Sequence, residues 1–94
     1  MNTQQLQCFI YVAERLNFTK AAESLYLSVP TVTHHIKSLE EELGVQLFYR
    51  SSRVVQLTES GETFYHDARD ILYRIEKAKD QFQENPTQES VIFR

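Results

Sequence analysis

The stretch that most constrains this chain is FTKAAESLYLSVPTVTHHIKSL, residues 18–39, because it contains two helical patterns separated by only about three residues. Asn17 can cap the first helix and Ser28 can cap the second. Pro30 then falls in the first turn of the second helix, where its missing N–H costs nothing. Two helices joined by so short a connection predict a helix-turn-helix, although small helical domains of many kinds contain such a corner.

Helical patterns also precede and continue this stretch. Asn2, with Gln5 three residues later, can form a capping box for a first helix, and Gly44 is placed to end the helix that Ser28 begins. Each helix has one apolar stripe at helical spacing, so the three helices can share a core. The stripes are Leu6, Phe9, Ile10, Ala13 and Leu16 in the first helix, Ala21, Ala22 and Leu25 in the second, and Val32, Ile36, Leu39 and Leu43 in the third.

The pattern changes after Gly44 and later returns to helix. Residues 48–50 and 54–57 are short β-prone runs around a Ser-Ser-Arg turn, which predicts a small hairpin even though the turn lacks Asn-Gly or Asp-Gly. From Thr58, a good N-cap, a long helix follows with apolar residues at alternating spacings of four and three, as in a heptad seam. The predicted fold is mainly α: a winged helix-turn-helix, with a three-helix core and a short β-hairpin wing, followed by a long C-terminal linker helix.

The composition limits the class of protein. With 94 residues and 41% apolar side chains, the chain can build one small core. No apolar run approaches the ~20 residues that cross a bilayer, so we expect a soluble protein without membrane contact. The single cysteine, Cys8, excludes an internal disulfide framework and fits a reducing cytoplasm, where we expect the protein to act. Its expected role is that of a small core residue.

The net charge of −3 is unevenly distributed along the chain. Residues 1–58 carry five basic and five acidic side chains, whereas residues 59–94 carry five basic and eight acidic ones, which accounts for the whole imbalance. The N-terminal part is therefore neutral, and it can still present a basic face to a partner.

The third predicted helix has an outer face that differs from a surface made only for water. Such a surface usually carries Lys and Glu, whereas this one carries mainly hydroxyls and imidazoles. These groups can hydrogen-bond to base edges or phosphates, and the N-terminus of a helix also favours phosphate. The face consists of Thr31, Thr33, His34, Lys37 and Ser38, while Glu40, Glu41 and Glu42 lie at the opposite end, where they can point away from a nucleic acid. A merely solvated face is the alternative.

Residues 9–61 resemble, nearly from end to end, the N-terminal DNA-binding domain of LysR-type transcriptional regulators. The matching motifs are FIYVAE, FTKAAESL, SVPTVTHHIKSLEEELG, the LF-x-R of Leu47, Phe48 and Arg50, and LTESG. The resemblance implies a bacterial transcription regulator that binds double-stranded DNA sequence-specifically as a homodimer. It implies a recognition helix, residues 29–43, in the major groove, a wing, residues 50–55, at the minor groove, and a linker helix that pairs two subunits.

DNA contacts are expected from the start of the second helix, the recognition helix and the wing. The DNA sequence that relatives recognise cannot be assumed for this chain, because it departs from the family pattern at two positions. Val29 stands where the family often has Gln, and His34 where it often has Arg. Arg50 has a second interpretation, as a tie between the wing and a helix. The expected contacts are Thr19, Lys20, Ser28, Val29, Pro30, Thr31, Thr33, His34, Lys37, Ser38, Arg50 and Arg53.

The linker helix is expected to bury its apolar seam against a second copy of the chain. A straight helix of roughly 25 residues is ~37 Å long, which is more than so small a domain can cover. Packing in part against the first helix is the alternative, and both arrangements can hold at different positions. The seam consists of Phe64, Ala68, Ile71, Ile75, Ala78 and Phe82.

The sequence predicts three parts. Residues 1–58 form the winged helix-turn-helix domain and residues 59–84 the linker and dimerisation helix. Residues 85–94 are a flexible tail or the start of an effector-binding domain that is absent from this chain. Any small-molecule effector is expected to act only through that absent domain.

No other chemistry is indicated. His34 and His35 are adjacent and diverge on a helix, and no Cys or acidic residue has ligand spacing to them, so no metal site is expected. With two glycines there is no phosphate-binding loop, and no nucleophile–base pair is apparent, so we expect neither an enzyme nor a cofactor. The rival interpretation is a winged-helix module that binds another protein instead of DNA, for which the acidic balance is the best argument.

Overall fold

The computed structural model describes residues 1–50 and 53–83, which contain four α-helices. The predicted mainly α architecture with a long last helix is confirmed. Residues 51–52 of the expected wing turn, together with residues 84–94, which hold the end of the expected linker helix and the tail, lie outside the described residues. The helices are α1 (Thr3–Arg15), α2 (Phe18–Leu25), α3 (Val29–Leu43) and α4 (Glu59–Gln83).

Capping side chains define where the helices begin. Asn2 Oδ1 accepts the N–H of Gln5 at 2.8 Å, and Gln5 Oε1 accepts the N–H of Asn2 at 3.2 Å, which completes the predicted capping box of α1. Asn17, Ser28 and Thr58 begin the other three helices, each by accepting the N–H three residues further on. All four caps are therefore local interactions that the sequence predicts correctly.

The first three helices end on residues with a left-handed backbone. Gly44, at φ 74°, ends α3 as predicted. Leu16, at φ 50°, ends α1, and its side chain is 49% exposed, so it does not continue the buried stripe that the spacing indicates. The reason is local: Asn17 caps α2 with an extended backbone, so the chain must leave the path of α1 one residue earlier.

Helix α1 lies at the centre of the fold and contacts each of the other three helices. Its Phe9 is fully buried, and the ring centroid lies 5.6 Å from that of Phe48 and 5.4 Å from that of Phe64. Cys8 is also fully buried, as expected of a core residue, and its burial raises the pKa of the thiol to about 11. The thiol is therefore protonated and unreactive at neutral pH. Among residues 1–50 and 53–83, no helix is long and apolar enough to cross a bilayer.

Where the sequence predicts a hairpin, the structure has one isolated antiparallel bridge between Phe48 and Leu57. The N–H of Tyr49 also donates to the carbonyl of Gln56 at 3.0 Å. Within the described ranges the pairing is thus shorter than the predicted β-prone runs. Two strands alone are marginal in water, so this wing depends on contacts outside the hairpin for its position.

Gly61, in the first turn of α4, marks a close approach between two parts of the chain. A Cβ added there would lie 2.2 Å from the carbonyl oxygen of Leu47 and 2.8 Å from Cδ2 of Leu57. The carbonyl of Leu47 also accepts the N–H of Thr58 at 3.0 Å, so it cannot move aside without breaking that bond. Only glycine fits at this position.

We expect Gly61→Ala to destabilise the fold by about 1–3 kcal/mol, because the added methyl group overpacks the contact with Leu47. The direction is informative, since Ala is otherwise the better helix former by ~1 kcal/mol. Urea denaturation followed by circular dichroism measures the change. Thr63→Ala, at an exposed position of the same helix, is the matched control and should change the free energy of unfolding by less than ~0.5 kcal/mol. A Gly61→Ala protein as stable as its parent would contradict the close approach.

Candidate nucleic-acid interface

Helix α3 is divided into a buried face and an outer face. Val32, Ile36 and Leu39 are at most 1% exposed and belong to the core. The polar residues that the sequence assigns to the outer face all keep some exposure, so the structure leaves that face available to a partner. His34 and Lys37 are exposed, and Thr31, Thr33 and Ser38 are half-buried.

The start of α3 is a helix N-terminus capped by a side chain. Ser28 Oγ accepts the N–H of Thr31 at 3.3 Å, and the two hydroxyl oxygens are hydrogen-bonded 2.8 Å apart. Val29, which is 36% exposed, and Pro30 follow in the first turn. Free backbone N–H groups at such a terminus favour an anion, and phosphate is the anion that DNA offers.

The five cations of the N-terminal part fall into two groups. Arg15 and Arg50 are each paired with a carboxylate of the chain itself. By contrast, Lys20, Lys37 and Arg53 are exposed, and none of them forms an ion pair with any residue in the described ranges. These three lie at the start of α2, on α3 and in the wing, which are the three places where the sequence predicts DNA contacts. Thr19, beside the first of them, is exposed as well.

Glu40 joins α3 to the wing. The residue is only 7% exposed, and Oε2 accepts the N–H of Leu47 at 2.7 Å and that of Phe48 at 3.3 Å. Its Oε1 accepts from the guanidinium of Arg50. The structure thus supports the interpretation of Arg50 as a tie between wing and helix. The Arg50 side chain keeps 37% exposure, and a DNA contact from it stays a prediction.

Sequence reasoning missed this role of Glu40. Its position beside Glu41 and Glu42 predicts a residue that points away from DNA, but only those two neighbours are exposed. A signal was present in the spacing: Glu40 follows Ile36 by four residues, which places it on the buried stripe of α3. A carboxylate on such a stripe requires a set of donors nearby.

The apolar seam of α4 is divided between two environments. Phe64 packs on Phe9, and Ala68 is fully buried in the chain's own core, so the alternative of packing on the first helix holds for this part. Ala68 is closed to a second surface and Phe64 is half-buried, whereas most of the seam beyond Ala68 is exposed. There, Ile75 is half-buried, and Ile71, Ala78 and Phe82 are exposed.

A polar cluster attaches α4 to α1 beside that core. The hydroxyl of Tyr65 donates to Glu14 Oε2 at 2.6 Å, and Nη1 of Arg69 donates to the same hydroxyl at 3.2 Å. Partial burial, together with the hydrogen bond to Glu14, raises the pKa of Tyr65, so the hydroxyl remains a donor at neutral pH. The direction of α4 relative to α1 is therefore fixed by both apolar and polar contacts.

The part of the chain that the structure describes contains no group of three His, Cys, Asp or Glu residues able to hold a metal ion. The adjacent His34 and His35 rings lie 6.0 Å apart, tilted by 55°. His34 is exposed, so its imidazole is available for contacts on the outer face of α3.

Comparison with known proteins places this chain among bacterial regulators. Residues 3–62 match the family described as "Bacterial regulatory helix-turn-helix protein, lysR family". The transcriptional regulator BudR of Klebsiella aerogenes is 49% identical over 72 residues, which cover 77% of this chain and 50% of BudR. The transcriptional regulator TtuA of Agrobacterium vitis is 34% identical over 94 residues, which cover 100% of this chain and 31% of TtuA. The chain therefore spans between 31% and 50% of these two curated relatives.

Two solved DNA complexes contain the same fold. The BenM DNA-binding domain with catB site 1 DNA matches at a TM-score of 0.83 and 37% identity, over 89% of this chain and 93% of that one. The CbnR DNA-binding domain with DNA matches at 0.82 and 40% identity, over 89% and 97%. These matches confirm the winged helix-turn-helix, and the relatives are transcriptional regulators rather than enzymes. The chain belongs to the lysR family of bacterial regulatory helix-turn-helix proteins and corresponds to its DNA-binding domain.

Proposed function

We propose that this domain binds double-stranded DNA sequence-specifically, with α3 in the major groove and the wing, residues 50–55, at the minor groove. The observation that carries the proposal is the outer face of α3, where hydroxyl, imidazole and ammonium groups are accessible on a helix whose other face is buried. The related BenM and CbnR domains were crystallised with DNA, which supports the same partner here.

The side chains of this face divide into base-reading and phosphate-binding groups. Thr33 and His34 can hydrogen-bond to base edges, and the Val29 methyl groups can pack on a thymine methyl. Phosphate binding falls to the three cations that are free of ion pairs within the described ranges, namely Lys20, Lys37 and Arg53. Each phosphate contact adds about −0.9 to the slope of log K against log salt, so one copy of the domain should show a slope of about −3.

Binding to duplexes selected from a random pool should therefore fall steeply with salt. Two copies on one site, with twice the three cations, should lose about a thousandfold in affinity between about 50 and 200 mM salt. Fluorescence anisotropy with the selected duplex measures the series, and a scrambled duplex is the control for sequence preference. A chain that selects no duplex even at low salt would favour the protein-binding module instead.

Single substitutions should separate the two kinds of contact. Arg53→Ala should weaken binding to all duplexes alike and flatten the salt slope by about one unit per copy, because it removes one cation. Thr33→Ala or His34→Ala should instead change the preference among duplexes, by about 1–3 kcal/mol at the base that is read. Anisotropy over a panel of single-base variants measures both effects.

Lys77→Ala is the matched control for Arg53→Ala, because it removes the same charge from an exposed position on α4 that faces away from the apolar seam. It should leave both affinity and slope nearly unchanged. The assignment of His34 is wrong if His34→Ala lowers the affinity for every duplex by the same factor.

We also propose that two copies associate through the part of α4 beyond Ala68. The described residues extend over 54 × 25 × 20 Å, and a 25-residue helix in a domain of that cross-section carries its exposed apolar residues away from its own core. When one copy is bound to DNA, pairing would hold α3 of the second copy near its own half of the DNA site, at high effective concentration. That compensates for the small number of cations in each copy.

Ile71→Glu should yield a folded monomer with much weaker DNA binding. Ile71 is 39% exposed in a single copy, so the fold tolerates the charge, whereas an unpaired carboxylate buried between two copies costs several kcal/mol. Sedimentation and circular dichroism measure association and folding. Thr63→Glu adds the same charge outside the seam and should remain dimeric. A parent chain that stays monomeric at high micromolar concentration, with or without DNA, would contradict the pairing.

A further inference from the structure

The first strand of the wing is held mainly by contacts outside the hairpin itself. Among the described residues the wing pairs through one bridge, between Phe48 and Leu57. The side chains of Leu47 and Phe48 are at most 1% exposed, which anchors the first strand in the core. Their backbone N–H groups still need acceptors, because a buried donor without a partner is costly.

Glu40 supplies those acceptors from the recognition helix. Its carboxylate takes both N–H groups on Oε2, at 2.7 and 3.3 Å, and the guanidinium of Arg50 on Oε1. A carboxylate that is 7% exposed persists only when donors and a counter-charge surround it in this way. All three donors belong to the segment that leads into the wing, so Glu40 connects α3 to the wing directly.

We propose that Glu40 is the positioning residue of the wing: it fixes the wing relative to α3 and thereby determines whether Arg53 reaches DNA when α3 lies in the major groove. Glu40 does not touch DNA itself, because its carboxylate is turned toward the chain's own donors. It lies three residues after Lys37 on the same helix, so any placement of α3 on DNA also places the wing. The inference rests on the proposed function, since it requires a wing that contacts DNA.

The other end of the wing is attached to the start of α4. The effect of losing Glu40 can therefore be distinguished from a general loss of the wing's structure. Thr58 Oγ1 donates to the carbonyl of Gln46 at 2.6 Å, and its N–H donates to the carbonyl of Leu47 at 3.0 Å. These bonds connect the wing to the start of α4. Without Glu40 the wing would keep its attachment to α4 and the core packing of Leu47 and Phe48. Arg50, where the wing begins, would lose its direct connection to α3.

A double-mutant cycle tests the inference. Glu40→Gln keeps the size of the side chain and removes its charge, and one amide oxygen cannot serve both the backbone donors and Arg50. In the parent, Arg53→Ala should weaken binding roughly tenfold per copy near 0.1 M salt. In the Glu40→Gln background the same change should weaken it less than about twofold, because the wing is no longer held where Arg53 can act. Lys20→Ala, at the start of α2, is the matched control and should keep its full effect in both backgrounds.

Amide hydrogen exchange provides a readout that is independent of DNA. In Glu40→Gln, exchange at Leu47 and Phe48 should become faster while the amides of α1 keep their protection, which separates local release of the wing from unfolding. If Glu40→Gln does not fold, Arg50→Gln removes the third donor from the more exposed side. The effect of Arg53→Ala must then shrink in that background.

Each result decides between the two proposals. If Arg53→Ala weakens binding equally in both backgrounds, the wing contact stands and the positioning role of Glu40 is overturned. Unchanged exchange at Leu47 and Phe48 overturns it as well. If Arg53→Ala has no effect in the parent although the parent binds DNA, the proposed wing contact itself fails, and the role of Glu40 fails with it.

Discussion

The burial of one aromatic ring, Phe9, holds the parts of this domain at fixed angles to one another. The ring packs between Phe48, at the base of the wing, and Phe64, in α4. The helix that carries it also contacts α2 and α3. Aromatic pairs of this kind contribute about 0.5–1.5 kcal/mol beyond the apolar area that they bury. Because α1 is common to all these contacts, α2, α3, the base of the wing and α4 form one body rather than loosely joined elements.

The sequence predicts the fold well where the controlling interactions are local. The caps at Asn2, Asn17 and Ser28 and the stop at Gly44 depend on residues at most four positions apart, so their positions can be read directly. The family motifs then supply the topology. Spacing alone does not show whether an apolar residue packs within its own domain or against another surface. Ala68 belongs to a regular seam, and only the packed structure shows that it is buried within the chain.

The sequence predicts which residue types lie at the candidate interface, but it does not show which of their charges are paired with carboxylates. Counting Arg and Lys treats the five cations of the N-terminal part as equal, whereas Arg50 is paired with the buried Glu40 and Arg15 lies 3.9 Å from Glu14. The pair with Glu40 joins residues ten positions apart across a turn, which no helical period reveals. An acidic chain can therefore serve a polyanionic partner, because the potential at the surface depends on which charges are paired and not on their sum.

Because α4 is one continuous helix, the distance of its C-terminal end from α1 and the direction in which that end faces are linked. The helix is anchored on α1 through Phe64, Ala68 and the hydroxyl of Tyr65, and it runs unbroken to Gln83. Each residue of an α-helix advances the chain by about 1.5 Å and turns it by about 100°. The C-terminal end of α4 is thus oriented relative to α3 by the number of residues between Ala68 and Gln83. One residue inserted in α4 would turn its C-terminal end by about 100° and move it by only about 1.5 Å. Seven inserted residues would nearly restore the original direction and lengthen the helix by about 10 Å.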